Sequence, residues 1–310
     1  MKKNILAQTL ALLMLALILG LSGLVSAAQR DSDDGKLRII VFGAHPDDCE
    51  HRAGGVAAMW AAQGHHVKFV SVTNGDIGHA VMAGGQLAKR RIKEVQQAAK
   101  ALGIESRVLD IHDGELMPTL ENRKTFVRLI REWKADIVMA HRPNDYHPDH
   151  RYTGILMQDA AFMVTVSFFC PDVPQLARNP VFLYLSDNFQ KPNPFEPDVV
   201  VAIDDVFEKK VDALWSFQSQ IESLWATGNF EKIVPVPKDP AGREARRRQL
   251  RSRFMRRWEA VANKYRAKLD ELYGQKKGKK VKYAEAFELC EYGRQLSKDE
   301  LKKLFAFFGD

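Results

Sequence analysis

The fold is decided by residues 37–51, LRIIVFGAHPDDCEH, where an apolar run stops at a dense cluster of charged and ligand-forming side chains. Residues 37–42 have the composition of a buried β-strand. The eight residues at 44–51 contain two histidines, three carboxylates and a cysteine. A connection that only turns the chain needs none of these groups, so we expect this loop to carry a function.

Further apolar runs alternate with helical patterns along the chain. Apolar residues recur on one face at 86–102, with Gly103 as a C-terminal cap, and a second helix is predicted around 121–133. The other predicted strands lie at 67–72, 107–109, 136–140, 181–184 and 198–203. Strands that alternate with helices indicate an α/β fold, with a mostly parallel sheet and helices on both faces.

The loop after the fourth strand is the second dense cluster of imidazole and carboxylate groups, HRPNDYHPDH at 141–150. If the first four strands take the common order 3-2-1-4, the first and fourth strands are neighbours. Ligands of such sheets bind beyond the carboxyl ends of the strands, where the strand order reverses. We therefore expect the loops at 44–51 and 141–150 to face each other across one site.

These two loops contain the residue types of a catalytic zinc site. Zinc binds neutral imidazole nitrogen and carboxylate oxygen at about 2.0–2.2 Å, and a catalytic ion keeps one position open. His45 and Asp48 are three residues apart, so one turn brings both side chains to one ion while Asp47 points elsewhere. His150, at the start of the next predicted helix, supplies the third ligand. Asp47 is then free to handle protons.

Solvated loops with helix-capping aspartates are the alternative interpretation of both clusters. A lone HPD tripeptide favours that alternative. Two such clusters, each after a strand and both at one switch point, favour a metal site. Cys49, beside the proposed ligand Asp48, is expected to point away from the site as a small buried residue rather than to act as a nucleophile or a ligand.

Five motifs together resemble the LmbE-like, or PIG-L, family of N-acetylglucosaminyl deacetylases. They are AHPDDCE at 44–50, TNGD at 73–76, RIKE at 91–94, HDGEL at 112–116 and HPDH at 147–150. The resemblance extends over residues 37–225. It implies a Rossmann-like, zinc-dependent hydrolase that removes the acetyl group from the 2-acetamido group of a glucosamine-containing molecule.

The resemblance also implies roles for individual residues. His45, Asp48 and His150 match the zinc ligands, and Asp47 matches the general base. His147 matches the histidine that stabilises the oxyanion or protonates the amine. The implied cofactor is one Zn²⁺ per chain, with another divalent transition metal as the alternative, and it would activate water and polarise the amide carbonyl.

Other matched positions surround this set. Asp149 fits a partner of a site histidine, a role that sets the tautomer and orientation of the ring. Arg91 and Asp113 match positions that contact the sugar. One position departs from the family, because some relatives have a tyrosine two residues before the first histidine of HPDH, where this chain has Asp145 followed by Tyr146. The resemblance therefore does not carry a tyrosine contact to the oxyanion over to this chain.

The first 27 residues have the layout of a secretory signal peptide. Lysines precede an apolar core, and Val25-Ser26-Ala27 forms a small-x-small cleavage pattern. We therefore expect an exported protein, periplasmic or secreted. An uncleaved membrane anchor is the alternative, because the apolar stretch is near the length that spans a bilayer. The three scattered cysteines do not form a disulfide framework, so the fold must rest on its core.

The net charge of +7 is concentrated in the last quarter of the chain. The basic runs are REARRRQLRSRFMRRWEA at 243–260 and KKGKKVK at 276–282, and a proline-rich break precedes them. The sequence therefore predicts three parts. They are a signal peptide at 1–27, a deacetylase domain at 36–234 and a basic, mostly helical C-terminal extension at 235–310.

Apolar residues recur at spacings of three and four from Leu250 to Leu272, which predicts a long amphipathic helix. One interpretation is that this helix packs on the catalytic domain with its charges in water. The alternatives are that the basic helix 243–272 contacts an anionic membrane surface, an acidic glycan or a partner protein. We expect no nucleic-acid partner for an exported chain.

The sequence thus predicts an exported zinc-dependent N-deacetylase acting on an N-acetylglucosamine-containing small molecule or glycan. Two alternatives remain. One is a metallohydrolase that cleaves another amide or an ester. The other is an exported carbohydrate-binding protein with a structural metal, although such a site needs neither an open position nor a spare carboxylate.

Overall fold

The strand predicted at 37–42 is β1 (Arg38–Gly43), an inner strand of the sheet in the computed structural model. The structure describes residues 34–228, 230–305 and 307–308, and the predicted signal peptide at 1–27 lies outside these ranges. From Leu37 onward the described chain forms one compact unit. None of its described helices combines the length and the apolar character needed to cross a membrane.

Within the described residues the strands form one seven-stranded sheet in the order β3-β2-β1-β4-β5-β7-β6. The other strands are β2 (His66–Ser71), β3 (Glu105–Val108), β4 (Ile137–Ala140), β5 (Val181–Leu185), β6 (Val199–Ala202) and β7 (Ala284–Leu289). Strands β1 to β5 are parallel, and β7 is antiparallel to both β5 and β6. The predicted order 3-2-1-4 is confirmed, because β1 pairs with β2 on one side and with β4 on the other.

Helices cover both faces of this sheet, as predicted. They are α1 (Asp48–Ala62), α2 (Gly85–Leu102), α3 (Leu120–Glu132), α4 (Pro148–Met163), α5 (Phe207–Trp215), α6 (Gln218–Glu222), α7 (Leu224–Thr227), α8 (Pro240–Lys264), α9 (Arg266–Tyr273), α10 (Gln275–Gly278) and α11 (Lys298–Leu304). In β1, Ile39 and Val41 join the core that includes side chains of α1, α2, α5 and α8. Ile40 and Phe42 join the opposite core, with side chains of α3 and α4. Burial on both faces explains why this parallel strand is apolar without a break.

The segment after the proline-rich break contributes to the sheet as well as to the helices. Strand β7 lies between β5 and β6 and pairs with both. The pattern of AEAFEL did not predict a strand, because two glutamates interrupt its apolar residues. Glu285 is nevertheless only 2% exposed, and Lys210 of α5 contacts it at 2.5 Å. The segment at 235–310, predicted as a basic, mostly helical extension, thus contributes strand β7 to the sheet and shares one compact unit with the residues from Leu37 onward.

The amphipathic pattern after Leu250 forms two helices, because α8 ends at Lys264 and α9 begins at Arg266. Leu250, Phe254 and Trp258 are buried in the core that also contains side chains of α1 and α5. The predicted packing of this apolar face on the catalytic part of the chain is therefore confirmed. Burial of these three side chains contributes about 1.5–3 kcal/mol each to the free energy of unfolding.

Candidate metal centre

The loop between β1 and α1 depends on a glycine at its start. A Cβ atom on Gly43 would lie 2.8 Å from Asp48 Cβ and 2.9 Å from Cys49 Sγ, distances that real side chains do not adopt. Glycine therefore allows the first turn of α1 to pack directly on the end of the strand. Cys49 is 2% exposed and its Sγ lies 3.5 Å from the Val41 carbonyl oxygen in β1, so the side chain points away from the ligand cluster, as predicted.

Asp47 occupies a strained backbone position between this strand and helix α1. Its φ of 123° is in a region that residues other than glycine rarely adopt, at a cost of about 1–3 kcal/mol. Such strain persists where surrounding contacts over-determine the conformation, and it is common at functional sites. The two adjacent aspartates turn to different partners: Asp47 Oδ2 accepts a hydrogen bond from Gln220, and Asp48 Oδ2 accepts one from the His45 backbone amide at 2.8 Å.

The predicted ligand set converges in the structure. His45 Nδ1 lies 3.2 Å from His150 Nε2 and 3.4 Å from Asp48 Oδ2. His150 Nε2 lies 3.4 Å from the same Asp48 oxygen. Three ligand atoms at about 2.1 Å from one tetrahedral ion are about 3.4 Å apart, so this triangle has the dimensions of a zinc site with a free fourth position. Two imidazoles and one carboxylate are also the ligand types that zinc selects.

The far side of the His45 ring contacts two carboxylates. His45 Nε2 is 3.1 Å from Asp113 Oδ1 and 3.3 Å from Asp149 Oδ2. Backbone amides of Gly114 and Leu116 donate to Asp149 and hold it in place. A carboxylate on the second nitrogen of a metal-binding histidine sets the tautomer of the ring and raises its basicity. Asp149 thus lies where the sequence predicted a histidine partner, and Asp113, predicted as a sugar contact, also contacts this ring.

The second histidine of the predicted ligand set, His150, also contacts a carboxylate. His150 Nδ1 lies 3.2 Å from Asp145 Oδ1, and the Asp145 side chain is 3% exposed. Asp145 stands at the position where the chain departs from relatives with a tyrosine. The contact with His150 holds the pKa of Asp145 below its usual range. Sequence analysis missed this contact, because the partners are five residues apart across the start of α4.

His141 was not assigned a role from the sequence, yet it contacts two residues of the predicted ligand set. Its ring stacks on His150 with centroids 4.1 Å apart, and its Nε2 lies 3.2 Å from Asp48 Oδ2. The same nitrogen accepts the Ala44 backbone N–H, and burial lowers the pKa of His141 to about 4. His141 is therefore a neutral ring. Its position directly after β4 was the signal that could have identified it.

Several overlapping sets of potential ligands occur in this cluster. Besides the triangle of His45, Asp48 and His150, ligand atoms of the described residues lie within 4.8 Å of one another in three further sets. They are His45, His147 and His150; His45, Asp113, His147 and Asp149; and Asp48, His141 and His150. Because carboxylates already contact His45 Nε2, the nitrogen of that ring that is left for an ion is Nδ1, which faces Asp48 and His150.

His147 lies at the edge of the cluster and caps helix α4. Its Nδ1 accepts the Asp149 backbone N–H at 3.2 Å, which places the ring proton on Nε2. Burial lowers the pKa of His147, and the neighbouring His45 and His150 lower it further. The structure therefore favours a neutral His147 whose Nε2–H can donate a hydrogen bond. The roles implied by the family, stabilising the oxyanion or protonating the amine, would instead suggest a protonated ring.

Arg91 is 1% exposed on α2, close to the TNGD loop. Its Nη2 donates to the Gly78 carbonyl at 2.5 Å, and its Nε is buried without a hydrogen-bond partner. Burial lowers the pKa of Arg91, and Asp47 and Asp113 oppose this effect, so the guanidinium lies within electrostatic range of both carboxylates. This placement is compatible with the predicted sugar contact.

Gln220 of α6 is a site residue that the sequence did not reveal. Its Nε2 donates to Asp47 Oδ2 at 2.8 Å, across 173 positions of sequence. Burial raises the pKa of Asp47 to about 7, the neighbouring Asp48 adds to the shift, and Arg91 opposes it. The carboxyl group outside the ligand triangle is thus poised near neutrality, which suits a general base.

The chain is similar to known proteins over the residues that contain this site. The sequence profile of the PIG-L family, described as GlcNAc-PI de-N-acetylase, matches residues 40–161. The diacetylchitobiose deacetylase of Thermococcus kodakarensis is 32% identical over 199 residues, which are 61% of this chain and 72% of the relative. The 4-oxalmesaconate hydratase of Pseudomonas putida is 26% identical over 209 residues, 64% of this chain and 79% of the relative.

A solved structure agrees in fold. The N,N'-diacetylchitobiose deacetylase of Pyrococcus horikoshii superposes with a TM-score of 0.61, at 23% identity over 82% of this chain and 84% of that chain. At this identity the likeness is evidence for the shared fold alone. The sequence matches to the family profile and to the Thermococcus relative decide the membership. The chain belongs to the PIG-L family of metal-dependent N-deacetylases, the family of GlcNAc-PI de-N-acetylase.

Proposed function

We propose that this protein is an exported zinc-dependent hydrolase that removes the N-acetyl group from an N-acetylglucosamine-containing substrate. One observation carries the proposal. His45, Asp48 and His150 form a triangle of ligand atoms 3.2–3.4 Å apart, and Asp47 lies beside it without belonging to it. A purely structural ion needs no adjacent carboxyl group with a pKa near neutrality.

The residues divide the work of amide hydrolysis among themselves. A divalent cation held by the triangle supplies Lewis-acid chemistry, acidifying water and polarising the carbonyl. Asp47 accepts the proton of the attacking water and returns it to the nitrogen of the leaving amine, and Gln220 holds its carboxylate in place. His147 donates its Nε2–H to the oxygen on which negative charge develops. Arg91 and Asp113, both buried beside the ligand cluster, contact hydroxyl groups of the sugar.

The substrate class follows from the relatives. The Thermococcus protein that covers most of this domain is a deacetylase of diacetylchitobiose, and the family profile is described by an N-acetylglucosamine-containing lipid. Both substrates contain a 2-acetamido sugar. Zinc is proposed as the metal because two imidazoles and one carboxylate form the ligand set that catalytic zinc prefers. Export is proposed from the signal-like first 27 residues.

A hydratase is the competing function, because one relative of similar coverage acts on 4-oxalmesaconate. Hydration also uses a metal and a general base, so the ligand triangle is compatible with it. The remaining alternatives are a metallohydrolase that cleaves another amide or an ester, and a carbohydrate-binding protein with a structural metal. The reactions differ in their products, so an assay of the products distinguishes these functions.

The test uses protein from Ala28 onward, loaded with Zn²⁺, and a panel of N-acetylglucosamine, N,N'-diacetylchitobiose and 4-oxalmesaconate. We expect acetate and free amine in equal amounts from at least one amino sugar, and loss of both products after chelation. Consumption of 4-oxalmesaconate without acetate from any sugar would replace the deacetylase proposal with the hydratase. Metal binding with no turnover of any compound would favour the structural-metal alternative.

A further inference from the structure

Helix α6, which carries Gln220, is too short to hold its position without contacts from elsewhere. It has five residues, and its N-cap residue, Phe217, makes no side-chain hydrogen bond to the first turn. Isolated helices of this length are not stable in water, because the first turn costs more conformational entropy than its hydrogen bond returns. The orientation of Gln220 toward Asp47 must therefore depend on other parts of the chain.

Glu94 of α2 supplies the cap that α6 lacks. Its Oε1 accepts the Ser219 backbone N–H at 2.8 Å, and its Oε2 accepts the Ser219 hydroxyl at 2.6 Å, across 125 positions of sequence. Glu94 is 5% exposed and Ser219 is fully buried. A carboxylate at the first turn satisfies N–H groups that have no partner within the helix, and its negative charge is favourable there. Glu94 thus fixes the residue directly before Gln220.

A second contact holds the other end of α6 on the same helix. Arg90 Nη1 donates to Glu222 Oε1 at 2.6 Å, and Arg90 Nε donates to Glu94 Oε1 at 3.1 Å. Arg90 precedes Glu94 by four residues, so both side chains lie on one face of α2. Gln220 lies between the two anchored residues, and its side chain therefore extends from a backbone that is fixed on both sides.

The two ends of α6 differ in how much depends on a single contact. Besides Arg90, Glu222 contacts His79 Nε2 at 3.3 Å, and the Glu222 carbonyl accepts the Val234 N–H at 2.7 Å. Loss of Arg90 would leave these contacts in place. At the first turn, one carboxylate accepts both donors of Ser219. Glu94 is therefore the contact whose removal tests the placement of α6.

We propose that Glu94 is a positioning residue for the reaction: through Ser219 and α6 it holds Gln220 against Asp47, the proposed general base. The effect on catalysis rests on the proposed function, but the placement of Gln220 does not. A base must be held within hydrogen-bond reach of the water it deprotonates, so a displaced α6 would slow the chemical step. The contacts of Glu94 among the described residues include none of the predicted metal ligands, so zinc should remain bound without it.

The first test compares Glu94→Ala with Glu94→Gln in Zn²⁺-loaded protein. Alanine removes both acceptors of Ser219, whereas glutamine keeps a carbonyl oxygen for the N–H and an amide group for the hydroxyl. We expect kcat to fall about tenfold in Glu94→Ala, the same loss as expected when the Gln220 donor is removed. KM and zinc content should stay at the wild-type values, and Glu94→Gln should recover most of kcat. The substrate is whichever compound of the panel is turned over.

A double variant separates positioning from a general loss of structure. In Gln220→Leu the side chain that Glu94 positions is absent, so adding Glu94→Ala should lower kcat no further. Asp136→Ala is the control, because this carboxylate accepts the Arg38 backbone N–H at the opposite end of β1 from the site. The control should keep the wild-type kcat.

A spectroscopic measurement reads the placement of Gln220 without any turnover. In isotope-labelled protein, the side-chain amide signal of Gln220 is the one that is missing from the spectrum of Gln220→Leu. We expect this signal to move or broaden in Glu94→Ala and to keep its wild-type position in Glu94→Gln and Asp136→Ala. Release of acetate by the wild type tests the proposed function separately, so failure of one proposal is distinguishable from failure of the other.

The positioning role is wrong if one of three results is obtained. The first is a wild-type kcat, or an unmoved Gln220 signal, in Glu94→Ala. The second is a loss in the double variant equal to the product of the two single losses, because Glu94 would then act without Gln220. The third is a raised KM with unchanged kcat, which would assign Glu94 to the neighbouring sugar contact, Arg91.

Circular dichroism and thermal unfolding establish that each variant is folded. If Glu94→Ala does not fold, Ser219→Ala takes its place, because it removes only the hydroxyl donor and keeps the backbone N–H on Glu94. We then expect a smaller loss of kcat that also disappears in the Gln220→Leu background. A loss that persists in that background would contradict the proposal.

Discussion

Gln220 Nε2 donates a 2.8 Å hydrogen bond to Asp47 Oδ2, and this contact joins helix α6 to the strained loop after β1. Gln220 is buried and lies outside the residues that the family profile matches. The contact gives the proposed base a fixed orientation and a donor to its charged form. A hydrogen bond to the charged form favours ionisation, so it opposes the rise in pKa that burial causes in Asp47.

Gln220→Leu removes this donor while keeping a side chain of similar volume. We expect kcat to fall about tenfold, because hydrogen bonds to charged groups contribute about 1.5–3 kcal/mol. The acid limb of the pH–rate profile should also move to higher pH, since the Asp47 carboxylate loses a stabilising donor. Metal content should stay at the wild-type level. If the acid limb does not move, Gln220 does not affect the pKa of Asp47 and the proposed role is wrong.

Asp47→Asn and Asp48→Asn separate the proton-handling carboxylate from the metal-binding one. Asp47→Asn should keep the fold and the zinc and lower acetate release by about a hundred- to ten-thousand-fold, because a positioned base is lost. Asp48→Asn should lower zinc content, because it removes the charge of a ligand. Zinc content and acetate release are measured side by side. An active Asp47→Asn protein, or one without zinc, would show that the division of work is wrong.

Replacing His150 with Ala removes a proposed ligand, so zinc occupancy and activity should fall together.

Asp145 should raise the affinity of the site for the metal through its contact with His150. Asp145→Asn removes the charge that lies 3.2 Å from His150 Nδ1, and we expect metal affinity to fall about 10- to 100-fold. Competition with a chelator measures the affinity. Asp172→Asn is the control, because that carboxylate pairs with Arg128 on the surface. Equal affinities in the two Asn variants would contradict a role for Asp145.

The buried pair Lys210–Glu285 should stabilise the placement of β7. Glu285 also accepts the backbone amides of Gly55 and Val56 in α1. Lys210→Met leaves this carboxylate buried without its cation, at an expected cost of about 3–5 kcal/mol in the free energy of unfolding. Lys210→Met/Glu285→Gln removes both charges and should recover most of the loss. Urea unfolding measures both variants, and equal midpoints for the two would contradict this account.

The same lysine makes stability depend on pH. Burial lowers the pKa of Lys210 from 10.5 to about 8. Between these values the unfolded chain binds more protons at this site than the folded chain does, so the contribution of Lys210 to the free energy of unfolding rises with pH from about 8 to 10.5. The difference in stability between wild type and Lys210→Met should therefore be larger at high pH. A difference that shrinks across this window would contradict the lowered pKa.

Local patterns were sufficient for much of the fold. The unbroken apolar run at 37–42, the helical spacing at 86–102 and the cap at Gly103 all depend on neighbouring residues, and the structure confirms them. The strand order 3-2-1-4 also followed, because it is the common way to wind such units. Strand β7 was missed, since its two glutamates look solvent-facing until Lys210 is placed next to one of them.

Local sequence was sufficient to indicate the chemistry of the site. The paired histidine–aspartate loops after two strands predict His45, Asp48 and His150 as ligands and Asp47 as a spare carboxylate, because ligand type and short spacing are local properties. The distant groups that support these residues could be identified only in the folded chain. Gln220 contacts Asp47, and Asp145 contacts His150, because of how the helices and loops pack, and packing does not follow from the identity of neighbouring residues in the chain.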